Sequence, residues 1–414
     1  MQVLFSYAIV TGDIPMIPKG LIEKLFQAAS IQRWNDHVRP TEFTEIDKQA
    51  HKMIIAYTIA KFQEEENPGC VNWIHLIEGG IVELLHRVIV TDIKPPIFHK
   101  IMKEKGKELN EWVFAQLDDD ISPVKGNFKE TFLRYFQDTQ FAPFEKKILH
   151  AAHYLATNWE FQIIYQSNKF LYDIEKTKNE IESQIEYHID LTGVQKILLH
   201  RNIAGFINLC GQLRFQQRWA QTPRIPKTSV LGHMLIVALL SYFCSRELGA
   251  CAKRIYNNFF ASLFHDLPEV LTRDIVSPVK RSVKGLEELI KEYEIIEANN
   301  RIFPLIPEKW HSEMRYYIFD EFENKVWHND SVIMGISPEE LNTQYNDDRF
   351  NPLDGQILKA CDDFAAFLEA SFSIKYGIKP EALESAKRNI YHKYRQKHLT
   401  IGDMDFIMLF DYFN

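Results

Sequence analysis

The residues able to do chemistry gather in the second half of the chain. His265-Asp266 sets an imidazole beside a carboxylate at the end of the apolar stretch NFFASLF. An earlier apolar segment carries His233, and a later one carries the pair Asp362-Asp363. An ionisable group on a buried face needs a partner, and a metal ion supplies one. Two neutral imidazoles and two carboxylates make a mixed nitrogen and oxygen shell. That shell suits Mn, Fe, Co, Ni or Zn better than Ca. Four protein ligands on an octahedral ion leave two positions for water or phosphate, which is what Lewis-acid chemistry requires. A lone His-Asp dipeptide is usually a surface pair or a helix cap. The apolar context of His233 and of the later aspartates raises this one above that reading, although spacing alone does not choose between Asp362 and Asp363. Ahead of His233 stands Arg218-Trp219. A guanidinium binds phosphate bidentately and stays charged at every relevant pH.

The elements that must position these groups read as helices. Ile54, Ile55, Tyr57, Thr58, Ile59 and Phe62 share a helical period, as do Leu235, Ile236, Leu239, Leu240 and Phe243. Alternating β-branched runs bounded by turns are absent, so the fold class is all-α. The charge-dense stretch 174–187 predicts a solvated helix linking two halves.

Those halves look alike. Gln32-Arg33-Trp34 recurs as Gln217-Arg218-Trp219, and the segment around His51 (QAHKMIIAYTIAKF) resembles the one around His233 (LGHMLIVALLSYF). Thr91-Asp92-Ile93 matches Arg273-Asp274-Ile275, and ILHAAHYLATNWE from Ile148 matches ILKACDDFAAFLE from Ile357. Both His51 to Asp92 and His233 to Asp274 span 41 residues. Four landmarks in one order point to a tandem duplication, with residues 1–185 as one unit and 186–414 as the other. The second unit has extra residues within 300–352, a stretch rich in aromatics and acids. Aligned from His51, Glu83 falls at the position of His265, Leu84 at Asp266, Arg87 at Glu269 and His153 at Asp362. The first unit has therefore lost the adjacent carboxylate, and a three-ligand remnant of His51, Glu83 and His153 is the most it retains.

Composition narrows the function classes. At 46% apolar and 25% charged residues the chain is neither disordered nor collagen-like. A net charge of −8 argues against binding long nucleic acid, which needs a basic surface. Five cysteines, odd in number and without a CxxC, fit neither a disulfide framework nor a Cys-ligated zinc. The opening MQVLFSYAIVTGDIPMI lacks the basic start of a signal peptide, and the longest apolar run, Met234 to Cys244, is short for a bilayer. These features lead us to expect a cytoplasmic protein with no membrane partner.

Together the motifs resemble a known family. H…HD…D is the signature of HD-domain metal-dependent phosphohydrolases, and within them the chain resembles bacterial 5′-deoxynucleotidases of the YfbR type. Arg218-Trp219, His233, His265-Asp266, then Glu269-Val270-Leu271-Thr272-Arg273-Asp274, Pro278-Val279-Lys280 and Cys361-Asp362 follow that family's order. Arg273 departs from the pattern, standing where the family has Gly. The resemblance implies two tandem HD-like helical bundles, the first degenerate, a pair that can pack as an internal pseudo-dimer or belong to a homo-oligomer. It implies that His233, His265, Asp266 and Asp362 hold one divalent metal ion (Mn, Co, Mg, Fe, Ni or Zn). It gives Glu269, three residues past Asp266 and so on the same helix face, the task of activating water. Asp274 would orient that water, Arg218 and Lys280 would meet phosphate, and Trp219 would pack on the sugar. The implied substrate is a (deoxy)nucleoside monophosphate. Hydrolysis of a nucleoside triphosphate or cyclic nucleotide, or nucleotide sensing with little turnover, are the alternatives. A second metal held by His311 and His328 is a further variant.

Overall fold

The computed structural model describes residues 17–414 apart from 274, 276–278, 280–282 and 330. It is 68% helix and 4% strand, an all-α fold. The first half contributes α1 (Lys19–Gln27), α2 (Glu45–Glu66), α3 (Trp73–Val90), α4 (Pro95–Ile121), α5 (Phe128–Gln137), α6 (Pro143–Asn168) and α7 (Ile174–Glu186). Next come α8 (Thr192–Leu199), α9 (Arg201–Gln212), α10 (Val230–Glu247), α11 (Ala252–Phe264), α12 (Glu269–Thr272), α13 (Leu286–Glu297) and α14 (His311–Ile318). A hairpin of β1 (Lys325–His328) and β2 (Ser331–Met334) precedes α15 (Pro338–Thr343), α16 (Gly355–Lys375) and α17 (Glu381–Lys397). A second short hairpin, β3 (Thr400–Ile401) and β4 (Met404–Asp405), leads into α18 (Ile407–Asp411).

Two helices form the centre. α10 is apolar all round, and sixteen of its eighteen residues are buried, so its hydrophobicity is that of a core helix. α2 is buried over most of its length as well, including its polar residues Glu45, Asp47, Lys48, His51 and Lys52. Both start with a hydroxyl cap that satisfies an otherwise orphaned N–H: Thr44 accepts from the Asp47 N–H and Ser229 from the Gly232 N–H. The two starts meet, with the Ser229 hydroxyl donating to Asp47 Oδ1 and Gly232 lying against Ile46 and Asp47. α3 meets α11 through Trp73, whose ring packs on Tyr256 at 4.9 Å and Phe260 at 5.7 Å.

One apolar cluster runs from Ile17 to Phe410 and joins both halves of the chain. α8 crosses α2 so closely that a Cβ at Gly193 would stand 2.5 Å from Ile59 Cα, an approach only glycine permits. The segment 300–352 also packs across the halves. Trp310 is buried against Phe62 at 4.8 Å, and Glu313 accepts from the hydroxyls of Tyr57 (2.9 Å) and Tyr256 (2.8 Å).

Candidate metal centre

His233 lies one turn into α10, its N–H bonded to the Ser229 carbonyl at 3.0 Å and its side chain fully buried. Its Nε2 is 2.9 Å from Asp362 Oδ1, and its Nδ1 faces Glu369 Oε1 at 3.6 Å. His265 ends α11. Its Nδ1 donates to the Ser262 carbonyl at 2.7 Å, which leaves Nε2 to carry the lone pair when the ring is neutral. That Nε2 is buried, lacks a hydrogen-bond partner and lies 3.2 Å from Asp266 Oδ2. Among the described residues, His233, His265 and Asp266 each place a ligand atom within 4.8 Å of the others. With Asp362 on His233, the donor set fits a divalent ion of the kind expected: neutral imidazoles, hard carboxylates and an unsatisfied buried nitrogen.

The two aspartates face different neighbours. Asp363 turns to α17, where Oδ2 accepts from Tyr394 (2.9 Å) and Lys393 (2.5 Å). Asp362 faces His233. Arg218 stands beside the ligands, with NH1 3.7 Å from Asp266 Oδ2. Glu269 begins α12, buried, with its N–H on the Asp266 carbonyl and its own carbonyl accepting from Gln216 at 3.0 Å. Trp219 is half-buried beside Arg218 in a left-handed conformation (φ 57°). Asp274, Lys280 and Pro278 lie outside the described residues. His311 and His328 do not join the centre. The former bonds the carbonyls of Phe303 and Ile306, and the latter ends strand β1 near Phe350.

Two residues of the site were not anticipated. Glu369, buried in α16, accepts from the Trp219 indole at 2.7 Å, from Thr228 Oγ1 at 2.6 Å and from Arg218 Nε at 3.4 Å while facing His233. At 3.6 Å from His233 Nδ1 it makes no hydrogen bond to the imidazole, but it stands where an outer-shell carboxylate would. Lys359, one turn before Asp362, bonds Asp362 Oδ2 at 2.8 Å.

The electrostatics are those of a closely coupled set. Burial penalises the charged form of each group, but the facing charges outweigh it. Asp266 raises His265 to about 9, and His265 holds Asp266 well below the carboxylate range. Lys359 and His233 keep Asp362 ionised, and Arg224 and Arg218 do the same for Glu369.

Several local features around the candidate centre have a match in the first half, where these ligands are missing. Trp34, also at φ 57°, donates its indole N–H to Glu160 at 2.8 Å, and Arg33 Nε meets the same carboxylate at 2.9 Å. Bridges Gln32–Thr44 and Gln217–Ser229 match, as do the left-handed Thr91 and Arg273. Counted from the hydroxyl caps, the residue that stands four past Thr44, as His233 stands four past Ser229, is Lys48 rather than His51; Lys48 Nζ lies 2.5 Å from His153 Nδ1. His51 turns instead to the Ile207 carbonyl at 2.9 Å, edge-on to Trp159. Glu83 pairs with Lys52 at 2.7 Å, so His51, Glu83 and His153 do not converge.

Comparison with known proteins now decides the family of the second half. Residues 210–390 match the HD domain family. The chain carries an HD domain. A 120-residue stretch is 25% identical to a 5′-deoxynucleotidase of Shewanella oneidensis, covering 28% of this chain and 60% of that relative. The HD domain contains His233, His265, Asp266, Asp362 and Glu369, and begins beyond the Lys48 centre.

Proposed function

We propose that the chain is a metal-dependent phosphohydrolase that releases phosphate from nucleoside monophosphates, with 2′-deoxynucleotides as the first candidates. The observation that carries this is the convergence of His233, His265 and Asp266, with Asp362 on His233 and the Arg218 guanidinium 3.7 Å from Asp266. A divalent ion bound there would neutralise phosphate charge and make water a better nucleophile. Arg218 then holds the phosphate, and Trp219 offers the exposed part of its ring to the sugar. Glu269, three residues past Asp266 across the turn between α11 and α12, takes the proton from the attacking water. The water oxygen bonds phosphorus, the ester P–O bond breaks, and the nucleoside leaves with a proton. Positioning and charge stabilisation supply most of the rate in such transfers. We assign Asp274 and Lys280 to the same site on sequence alone.

Four matched features support a duplicated origin: the arginine-tryptophan turns, the hydroxyl caps, the left-handed Thr91 and Arg273, and the buried glutamates. Contacts of like with like, α2 on α10 and α3 on α11, favour an internal pseudo-dimer of residues 1–185 and 186–414.

The test is phosphate release by the purified full chain with Mn, Co or Mg and a panel of nucleoside monophosphates. His265→Ala and Asp266→Ala should abolish it, and activity that survives both refutes the site. Release of pyrophosphate or triphosphate instead would favour the triphosphate alternative. Tight binding without turnover would favour sensing.

A further inference from the structure

We propose that the first half holds a metal-independent binding site for a phosphate monoester, built around Lys48. Lys48 sits where the HD domain has His233, and its ammonium is fully buried. Its hydrogen-bond partner among the described residues is His153 Nδ1, a nitrogen acceptor without charge to give. The carboxylate one turn earlier, Glu45, is already taken by Arg33 at 2.9 Å and Gln49 at 2.6 Å. Around Lys48 stand Arg33, Lys52, Arg87 and His153; Arg33 is paired with Glu45 and Glu160, Lys52 with Glu83 and Arg87 with Asp92, so among the described residues Lys48 is the cation of this group with no carboxylate bound to it. Burial and these cations push Lys48 well below the usual lysine range, and an anion seated against its Nζ would favour the charged form.

The edge of the centre is partly exposed, although Lys48 itself is buried. Arg87 is 20% exposed, Glu83 is 29% exposed and His153 is half-buried. Glu83 does not repel an incoming anion in full, because Lys52 and the Tyr135 hydroxyl bind its two oxygens. A cavity of about 770 Å³ meets the centre at Glu83, which lines it with Tyr135, Lys146, His150, His188 and Asp190, while Lys48 itself lies behind that wall. His188 is buried there with Nδ1 lacking a hydrogen-bond partner. Polar and aromatic walls beside a cationic centre suit an organic group carrying a phosphate. Arg33 with Trp34 also repeats the Arg218–Trp219 turn that faces phosphate in the function proposed above. The first-half site needs no turnover in the second half, so the two proposals fail separately.

The experiment uses the full chain in excess chelator, titrated calorimetrically with inorganic phosphate and with deoxyadenosine monophosphate, alongside thermal melting. Binding without metal is expected, unchanged in His265→Ala. Nucleotide affinity about tenfold above that of inorganic phosphate would assign the cavity to the nucleoside, and equal affinity would assign free phosphate. Lys48→Met should melt at the same temperature or higher without ligand, since a poorly partnered buried cation is gone, and should lose the phosphate-induced rise. No binding without metal overturns the proposal, as does a Lys48→Met protein that is less stable yet keeps its phosphate response. Should Lys48→Met not fold, Arg87→Ala decides: weakened phosphate binding supports the site, and unchanged binding overturns it.

Discussion

Lys48 and His233 occupy the same place on two packed helices, each with its N–H bonded to the carbonyl of the capping residue four positions earlier, at 3.2 and 3.0 Å. Each also meets the residue at one position of its matched long helix, His153 in the first half and Asp362 in the second. The first half therefore presents a lysine where the second presents an imidazole of the candidate metal centre. On the proposed function, one divalent ion per chain is expected. Metal analysis of the purified protein should give one equivalent, falling to none in His233→Ala and staying at one in His51→Ala. Two equivalents, or loss in His51→Ala, would contradict the assignment.

The charge state of His265 sets the pH dependence of metal binding. Burial would lower its pKa, but Asp266 more than offsets that and raises it to about 9. Without metal, the stabilisation from this pairing is complete below the unfolded value of 6.5 and is lost as pH climbs through about 9. An ion on Nε2 must displace that proton. Metal affinity should therefore rise about tenfold per pH unit from 6.5 to 9 and level off above. A flat profile by competition titration would remove His265 from the ligand set.

Neighbouring aspartates on α16 should behave oppositely. Asp362→Asn should weaken metal binding by more than about 100-fold, beyond what loss of an outer-shell partner costs. Asp363→Asn loses bonds to Tyr394 and Lys393 on α17. It should cost about 1–2 kcal/mol in denaturant unfolding and leave metal affinity unchanged.

Glu369 supports His233 from behind, and its effect should be graded. Glu369→Gln keeps the shape but removes the charge that faces Arg218, Arg224 and His233. Metal affinity should drop about 10–100-fold while one equivalent still binds at saturation. An unaltered affinity would make Glu369 a purely structural acid.

Much of this centre could be read from residue order, because an adjacent His-Asp in an apolar helix and a buried His in another have few other uses. Glu369 was within reach too: the paired segments from Ile148 and Ile357 both end in glutamate, at Glu160 and Glu369. Lys359 gave no such signal, since a lysine one turn from an aspartate is an ordinary surface pair. The pairing of His51 with His233 and the register counted from the caps differ for a geometric reason. From cap to left-handed residue, Thr44 to Thr91 runs three residues longer than Ser229 to Arg273, so counting back from Asp92 slides past the cap-based register. Helix content was legible from periodicity. The shared core was not, because contacts such as Trp310 on Phe62 join residues far apart in sequence.

That shared core makes a last prediction about unfolding. Trp310 is 1% exposed, its ring packs on Phe62 and Tyr57, and its indole N–H reaches Glu65, all on α2. Glu313 nearby ties Tyr57 and Lys61 of the first half to Tyr256 of the second. Trp310→Ala removes a large buried ring and should cost about 3–5 kcal/mol. Since α2 packs on α10 within one apolar cluster, that loss should move a single cooperative transition to lower denaturant, with fluorescence and circular dichroism coinciding. Two separated transitions, with only the later one sensitive to Trp310→Ala, would mean that residues 1–185 and 186–414 unfold independently despite their common core.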